Sequence, residues 1–256
     1  MTTPHGARIR EQFRLQASTF TDDGFAASGL EWIVERLAPR AGEQVLDVAA
    51  GAAHLGRALA PHVGHVCALD LTPEMLAQGD RLARESGLRN IAFMTGDAMA
   101  LPWLDGQFDL VVCRLTLHQV EDPAAVVREM VRVTRPGGRI GITDMLLERP
   151  EVERENTRLE RLRDPSHNRT LTRSQVHALL DAAGAEVTST VTRDNPLDLE
   201  DWMRRSQTPE EFRVEIRRRL DEELAGGEPT GLRPALRDGV RTFTHVWGTI
   251  TATPLG

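Results

Sequence analysis

Carboxylates and small residues stand at the ends of apolar runs in the N-terminal half of the chain. Asp47 precedes a turn that contains Gly51 and Ala53, and Asp70 and Asp97 follow the next two apolar runs. A turn of small residues leaves room for a ligand against bare backbone, and a helix that begins there aims its N–H groups at that ligand. A carboxylate after the second strand accepts hydrogen bonds from a ribose diol. This pattern predicts a nucleoside-binding site.

The identity of the nucleoside depends on the residues around the turn. The Gly-x-Ala-x-x-Gly pattern of residues 51–56 also fits a dinucleotide site. Asp47 opposes that interpretation, because a carboxylate there repels a pyrophosphate and attracts a cationic or amine-bearing ligand. Asp97 is placed to accept a hydrogen bond from an adenine amino group, and residues 71–76 offer two apolar side chains that could sandwich a base. Together these residues favour a nucleoside with an amino-acid tail.

Alternating strands and helices must position these residues. The predicted strands of this region are Gln44–Val48, His65–Leu69, Ile91–Thr95, Phe108–Cys113 and Arg139–Thr143. The predicted helices between them include Pro73–Glu85 and Pro123–Val133. Regular alternation implies a parallel sheet with helices on both faces, and ligands bind beyond the carboxyl ends of such strands. Further strands are predicted over Ala185–Thr192 and, at an edge, over Thr242–Thr253. The fold class is therefore α/β, with a Rossmann-like, seven-stranded, mostly parallel sheet.

Three segments are predicted along the chain. Residues 1–40 form an N-terminal helical lid, residues 41–148 form the ligand-binding core, and residues 149–256 supply cap helices and the last strands of the sheet. The cap begins with a highly charged helix over Glu151–Arg163, which we expect to be exposed.

Composition excludes several classes of function. The chain has 256 residues and a formal net charge of −7, which argues against nucleic acid as a partner. No apolar run approaches the roughly 18 residues of a membrane span, and the first residues lack the layout of a signal peptide. The two cysteines, Cys67 and Cys113, are predicted to be core thiols of a cytoplasmic protein. We expect no membrane partner, and a monomer or a homodimer.

The order of these motifs resembles a known family, the class I S-adenosylmethionine-dependent methyltransferases. Within that family the chain is similar to the branch of ubiquinone/menaquinone-biosynthesis and natural-product methyltransferases, over about residues 10 to 145. The motifs that carry the resemblance are residues 46–54, 69–76, 96–98, 108–114 and 133–138.

The resemblance implies a set of residues that bind S-adenosylmethionine. They are Phe20, Asp47, Gly51, Ala53, Asp70, Leu71, Met75, Asp97, Ala98 and Arg114. Asp47 and the backbone of Gly51 would hold the methionine part, and Asp70 would bind the ribose hydroxyls. Met75 would pack on the adenine, whose amino group would donate to Asp97.

The chain departs from the family pattern at two of these positions. Ala53 replaces the second glycine of the usual Gly-x-Gly, where an added methyl group would shift the methionine or weaken its binding. Phe20 lies on the lid where relatives often carry Tyr, and the chain contains no Tyr. Arg114 is implied to contribute its backbone near the methionine end.

Methyl transfer from a sulfonium needs alignment above all, and it needs a base only when the acceptor keeps its proton. His118 follows the fourth strand, where an acceptor would approach, and His167 lies in an Arg-Asp-Pro-Ser-His segment similar to segments of relatives on the substrate side. Both are candidate catalytic bases, and Asp144 is placed to face the same pocket. No cluster has metal-ligand spacing, so we predict no metal.

The leading hypothesis is a methyltransferase that acts on an O, N or C atom of a small acceptor, such as a secondary metabolite or a quinone-like molecule. One alternative is a methyltransferase-like enzyme that uses S-adenosylmethionine without methyl transfer, in a cyclisation or rearrangement. A non-catalytic S-adenosylmethionine-binding protein is another. A further alternative is a nicotinamide-dependent oxidoreductase, which only the glycine pattern of residues 51–56 supports.

Overall fold

The computed structural model describes residues 3–21 and 27–255, in which nine strands form one mixed sheet. The strands are β1 (Gln44–Val48), β2 (His65–Asp70), β3 (Ile91–Thr95), β4 (Phe108–Arg114), β5 (Thr134–Leu147), β6 (Leu171–Thr172), β7 (Ala185–Asp198), β8 (Ala235–Arg237) and β9 (Val240–Pro254). The helices are α1 (Pro4–Gln16), α2 (Leu30–Leu37), α3 (His54–Leu59), α4 (Pro73–Glu85), α5 (Pro123–Val133), α6 (Glu153–Arg163), α7 (Arg173–Ala182), α8 (Leu199–Arg205) and α9 (Glu210–Leu224).

The strand order along the sheet is β3-β2-β1-β4-β5-β9-β7, with β6 beside β5 and β8 beside β9. Strands β1 to β5 run parallel to one another, whereas β9 is antiparallel to both β5 and β7. This arrangement confirms the predicted Rossmann-like, mostly parallel sheet. Seven strands form its main path, and β6 and β8 are two short strands beyond the predicted seven. It also brings the carboxyl ends of β1, β2 and β4 to one edge, which is where a ligand of such a sheet binds.

Helix caps fix where the helices after β2 and β4 begin. Pro73 and Pro123 open α4 and α5, where the missing N–H costs no hydrogen bond. The Asp122 side chain accepts a hydrogen bond from the Ala125 N–H at 3.0 Å, and Thr172 and Gln175 form a capping box at α7. These local signals explain why both predicted helices, α4 and α5, have the bounds read from the sequence.

The predicted edge position of the last strand is wrong. Strand β9 lies between β5 and β7, and it pairs with β7 from Thr242 to Pro254. Strand β7 continues to Asp198, well past the predicted end at Thr192, and so supplies a full-length partner. Alternating β-branched and aromatic residues predict a strand, but they carry no information about which strand lies beside it.

The helix predicted as exposed over Glu151–Arg163 is partly buried. A 3₁₀ turn over Pro150–Val152 precedes α6, whose Leu159 and Glu160 are 0% and 1% exposed. The high charge of this segment suggested exposure, but one of its charged residues, Glu160, is itself buried.

Three apolar clusters hold the layers together. One lies between the sheet and α5 and α7, and a second lies between the opposite face and α2 and α3. The third joins α6, α8 and α9 to the start of β9 around Trp202 and Phe243, so the cap helices are anchored on the sheet. Among the described helices, none combines the length and the apolar character that a membrane crossing requires.

Candidate functional site

A cavity of about 240 Å³ lies beyond the carboxyl ends of β1, β2 and β4. One buried water needs only roughly 10–15 Å³, so the cavity is of ligand size. Helix α1 forms one side of it through His5, Ile9 and Phe13, and the cap contributes residues of α6, α8 and β9. The cavity therefore has a sheet end, which contains the predicted nucleoside-binding residues, and a cap end.

The turn after β1 forms the floor of the sheet end. Ala49, Gly51 and Ala53 all have left-handed backbones, with φ values of 53°, 57° and 51°. A Cβ atom on Gly51 would lie 3.0 Å from Met75 Cε, so glycine keeps this part of the cradle open. The Gly51 N–H donates to Asp70 Oδ2 at 2.8 Å, which ties the turn to the end of β2.

Asp70 and Asp97 are the two acceptors that the sequence predicts for a nucleoside. Asp70 is buried and also accepts the Thr72 N–H at 2.8 Å, and each of its oxygens keeps a lone pair for a further donor. Asp97 accepts the Met99 N–H at 2.9 Å. Both line the cavity, together with the predicted residues Leu71, Met75 and Ala98. The structure thus brings together the residues predicted for the ribose and the adenine.

Asp47 is a buried carboxylate at the floor of the cavity, 1% exposed, and its Oδ2 accepts the Gly56 N–H at 2.8 Å. Burial raises the pKa of Asp47 to about 7, against the lowering effects of the Gly56 hydrogen bond and the Arg114 charge. A cationic ligand group beside it would favour the ionised form. Asp47 is therefore suited to the amino-acid end of the predicted ligand.

We expect the affinity for S-adenosylmethionine to fall as the pH drops below about 7, the pKa of Asp47 in the free protein. A protonated Asp47 must lose its proton to meet the ligand cation, which costs up to about tenfold in affinity per pH unit. Calorimetric titrations from about pH 7 to about pH 5 measure this slope. Asp47→Asn keeps the shape and an acceptor for Gly56, and it should flatten the profile; an equally steep slope in that variant would contradict the assignment.

Ala53, which replaces the family glycine, does not touch the cavity in the part of the chain that the structure describes. Its neighbours Ala52 and His54 line the cavity, whereas Ala53 is 0% exposed within the turn. Its left-handed backbone (φ 51°, ψ 39°) is a conformation that glycine adopts without strain. The expected interference of its methyl group with the methionine end finds no support in this geometry.

Ala53→Gly is accordingly expected to change little. Relief of the left-handed strain, roughly 1–2 kcal/mol, is offset by the loss of a buried methyl, about 0.8 kcal/mol, and by added freedom in the unfolded chain, about 0.4–1 kcal/mol. Urea unfolding should give a stability within about 1 kcal/mol of the wild type. Calorimetry should give an S-adenosylmethionine affinity within about threefold, and a change beyond about tenfold would place the methyl group against the ligand.

Phe20 and Arg114 both line the cavity. Phe20 follows the 3₁₀ turn after α1; its ring centroid lies 6.2 Å from that of His54, and its carbonyl accepts from Gln78 at 3.1 Å. The Arg114 guanidinium donates to the Ser28 carbonyl at 3.2 Å. The sequence assigned only the backbone of Arg114 to the site, but its side chain also lies near Asp47. Burial lowers the pKa of Arg114 to about 10, and the negative charge of Asp47 opposes this effect.

His118 forms a buried dyad with Asp144, which lies within β5. His118 Nδ1 lies 2.6 Å from Asp144 Oδ1, while Asp144 Oδ2 accepts the N–H groups of Thr116 and Leu117. A carboxylate only accepts, so Nδ1 carries the proton and Nε2 is the nitrogen that can take one. Burial lowers the pKa of His118, but the charge of Asp144 and its hydrogen bond outweigh this and raise the pKa above its ordinary value.

His167 lies behind His118 and outside the cavity lining that the described residues form. The two ring centroids are 5.4 Å apart, and His167 is 2% exposed. Burial lowers the pKa of His167 to about 4, so it is neutral at pH 7. The two candidate bases are thus neighbours with opposite pKa shifts, and only His118 reaches the cavity. Within the described ranges, no group of three or more His, Cys, Asp or Glu residues could hold a metal ion.

Sequence reasoning missed the cap end of the site. Glu160 and His245 form a buried pair at 2.8 Å although 85 residues separate them. Arg163, Trp202 and Arg205 line the same end. Of these residues only Glu160 and Arg163 had a signal in the sequence. That signal was the many acidic and basic residues of the segment 151–163, which are also typical of an exposed helix.

The chain is similar to proteins of one family along most of its length. Residues 46–142 match a family model described as a methyltransferase domain. YcgJ of Bacillus subtilis strain 168, an uncharacterized methyltransferase, is 32% identical over 207 residues, which span 80% of this chain and 82% of YcgJ. The crystal structure of YcgJ has a TM-score of 0.79 at 28% identity, and the match covers 89% of this chain and 98% of that chain.

A more distant relative is the ubiquinone/menaquinone biosynthesis C-methyltransferase UbiE of Roseobacter denitrificans. It is 37% identical over 117 residues, which span 44% of this chain and 47% of that protein. The methyltransferase-domain match ends at residue 142. Glu160, Trp202 and His245 at the cap end therefore lie outside it.

Proposed function

The chain belongs to the S-adenosylmethionine-dependent methyltransferases, and from this premise we propose that it methylates a small molecule bound at the cap end of the cavity. The observation that carries the proposal is the enclosure of that end. It is bounded by α1, α6, α8 and β9, and its Met145, Trp202 and Trp247 are buried. A small acceptor fits such a site, whereas a folded macromolecule does not reach into it.

The residues of the sheet end suit S-adenosylmethionine. In this proposal the cradle at Gly51 and the buried Asp47 hold the methionine part, Asp70 accepts from the ribose hydroxyls, and Asp97 accepts from the adenine amino group. Met75 packs on the base, as its position beside Gly51 supports. Phe20, Leu71, Ala98 and Arg114 complete the binding surface. Bound S-adenosylmethionine supplies an activated methyl group on a sulfonium.

The protein's contribution to the reaction is alignment and, for an acceptor that keeps its proton, a base. Fixing an acceptor in line with the methyl group can supply up to about 7–11 kcal/mol of the barrier. His118, held by Asp144, takes the acceptor proton on Nε2. The site thus suits an O, N or acidic C atom. The tryptophans at the cap end favour an acceptor with an apolar body, such as a secondary metabolite or a quinone-like molecule.

Two measurements test this proposal. Calorimetry with S-adenosylmethionine and, separately, NADH should show binding of S-adenosylmethionine alone; tight NADH binding with no S-adenosylmethionine binding would overturn it. Mass spectrometry of a metabolite panel incubated with the protein and S-adenosylmethionine should then show a product with one added methyl group and release of S-adenosylhomocysteine. A product of unchanged mass would instead support the non-methylating cyclase or rearrangement.

A further inference from the structure

Two arginines that the proposed chemistry does not use line the cap end of the cavity. Arg163 is the last residue of α6 and Arg205 the last residue of α8. Their side chains are only 16% and 19% exposed. Burial lowers the pKa of Arg205, and the positive charge of Arg163 is the next largest cause. Two largely buried cations therefore line the same cavity.

Arg163 has donor capacity that its surroundings do not use. Its guanidinium carbon lies 5.1 Å from the centre of the Trp202 ring, so its plane is held by an aromatic side chain. Its contact with Asp164 is long, at 3.5 Å, and its buried Nε has no hydrogen-bond partner among the described residues. Because a buried donor without an acceptor is costly, this arrangement suits a ligand that brings an acceptor.

The carboxylates nearby are engaged with other partners. Asp164 Oδ1 accepts from both the N–H and the hydroxyl of Ser166, and Glu160 pairs with His245. Asp201, which contacts Arg205 Nε at 2.9 Å, is also paired with Arg204 on the outer side of α8. These groups balance charge around the arginines, but none of them accepts a hydrogen bond from Arg163 Nε.

Each of the two tryptophans at this end has an arginine side chain over one face of its ring. Arg163 lies over Trp202, and Arg114 lies over Trp247 at 5.2 Å from the ring centre. An ammonium group that approached either ring would therefore lie beside a guanidinium cation, which repels it. An anion would meet N–H donors in the fork geometry that matches carboxylate and phosphate oxygens.

We propose that Arg163 and Arg205 form an anion subsite that binds a carboxylate or phosphate group of the methyl acceptor. The acceptor is then amphipathic, with an apolar body along Trp202 and Met145 and an oxyanion between the two arginines. This inference deepens the proposed function and rests on it, because it assigns chemistry to the acceptor end of the same cavity.

The test compares matched probes on the complex with S-adenosylhomocysteine. By titration calorimetry or ligand-observed NMR, 2-naphthoate should bind about tenfold or more tightly than methyl 2-naphthoate, which has the same apolar body without the charge. Titration with 2-naphthyl phosphate decides between the two oxyanions by its affinity relative to the carboxylate. Arg163→Gln and Arg205→Gln should each remove most of the advantage of the acid. Arg204→Gln, next in sequence to Arg205 but outside the described cavity lining, should keep it.

If the wild-type protein binds the acid, the phosphate and the ester with equal affinity, the subsite is overturned. It is also overturned if both Arg163→Gln and Arg205→Gln still bind the acid more tightly than the ester. The wild-type comparison decides the matter even where a variant fails to fold, and thermal melts identify such a variant. Failure of the wild-type protein to bind S-adenosylhomocysteine would instead overturn the proposed function. The two failures are therefore distinguishable.

Discussion

His118→Ala is expected to slow methyl transfer to a proton-bearing acceptor by roughly 10²–10⁴-fold, which is the usual contribution of a positioned base. His118 is the one of the two candidate bases that lines the cavity, and Asp144 fixes its tautomer so that Nε2 can accept a proton. Single-turnover rates with saturating S-adenosylmethionine measure the chemical step. Cofactor affinity should stay within about threefold of the wild type, because His118 lies at the acceptor end.

The pH profile separates a base from a merely structural histidine. Since the pKa of His118 is raised, the residue is protonated below that pKa, and the rate should rise as the pH increases through it. Asp144→Asn removes the charge that opposes burial, so the pKa of His118 should fall and the rising limb should move to lower pH. His62→Ala, an exposed histidine, is the matched control. A normal rate and an unchanged pH profile in His118→Ala would remove it from catalysis.

Asp70→Ala is expected to weaken S-adenosylmethionine binding by about 10- to 150-fold, which corresponds to roughly 1.5–3 kcal/mol for a charged acceptor of hydrogen bonds. The ribose hydroxyls lose their acceptor, and the Gly51 and Thr72 N–H groups that Asp70 holds lose theirs. Calorimetry measures the affinity, and urea unfolding measures the accompanying loss of stability.

Asp109→Ala is the matched control for the loss of stability that follows when a backbone N–H loses its carboxylate acceptor. Asp109 also accepts a backbone N–H, that of Gln44 at 2.7 Å, but it lies at the amino end of β4, away from the cavity. It should lower the stability while leaving the cofactor affinity unchanged. If Asp70→Ala binds S-adenosylmethionine as tightly as Asp109→Ala does, Asp70 has no part in the binding of the ligand.

Much of the sheet end was predictable because its signals are local. Strands β1 and β3 and helices α4 and α5 have the bounds read from apolar runs, first-turn prolines and caps. Errors appeared where the outcome depends on distant segments. Strand β9 lies inside the sheet only because β7 extends to Asp198 beside it, and no periodicity within Thr242–Thr253 encodes that partner.

Residues at the cap end were harder still to predict, because their contacts come from distant segments of the chain. The Glu160–His245 pair and the contact of Arg163 with the Trp202 ring join residues far apart in the chain. Ala53 illustrates the reverse case, in which a local departure from a motif suggested interference with the ligand. The backbone of the turn directs that residue into the interior instead.

The sequence by itself determined the α/β class and the family, and it predicted the cofactor residues, because a nucleoside site of this fold is built from short motifs at consecutive strand ends. Only the tertiary structure decided which histidine reaches the cavity, which charges face the acceptor and where the last strand lies. The physical reason is that burial, pKa and ion pairing depend on what packs around a side chain. For the acceptor end, those neighbours come from α1, α6, α8 and β9, at opposite ends of the chain.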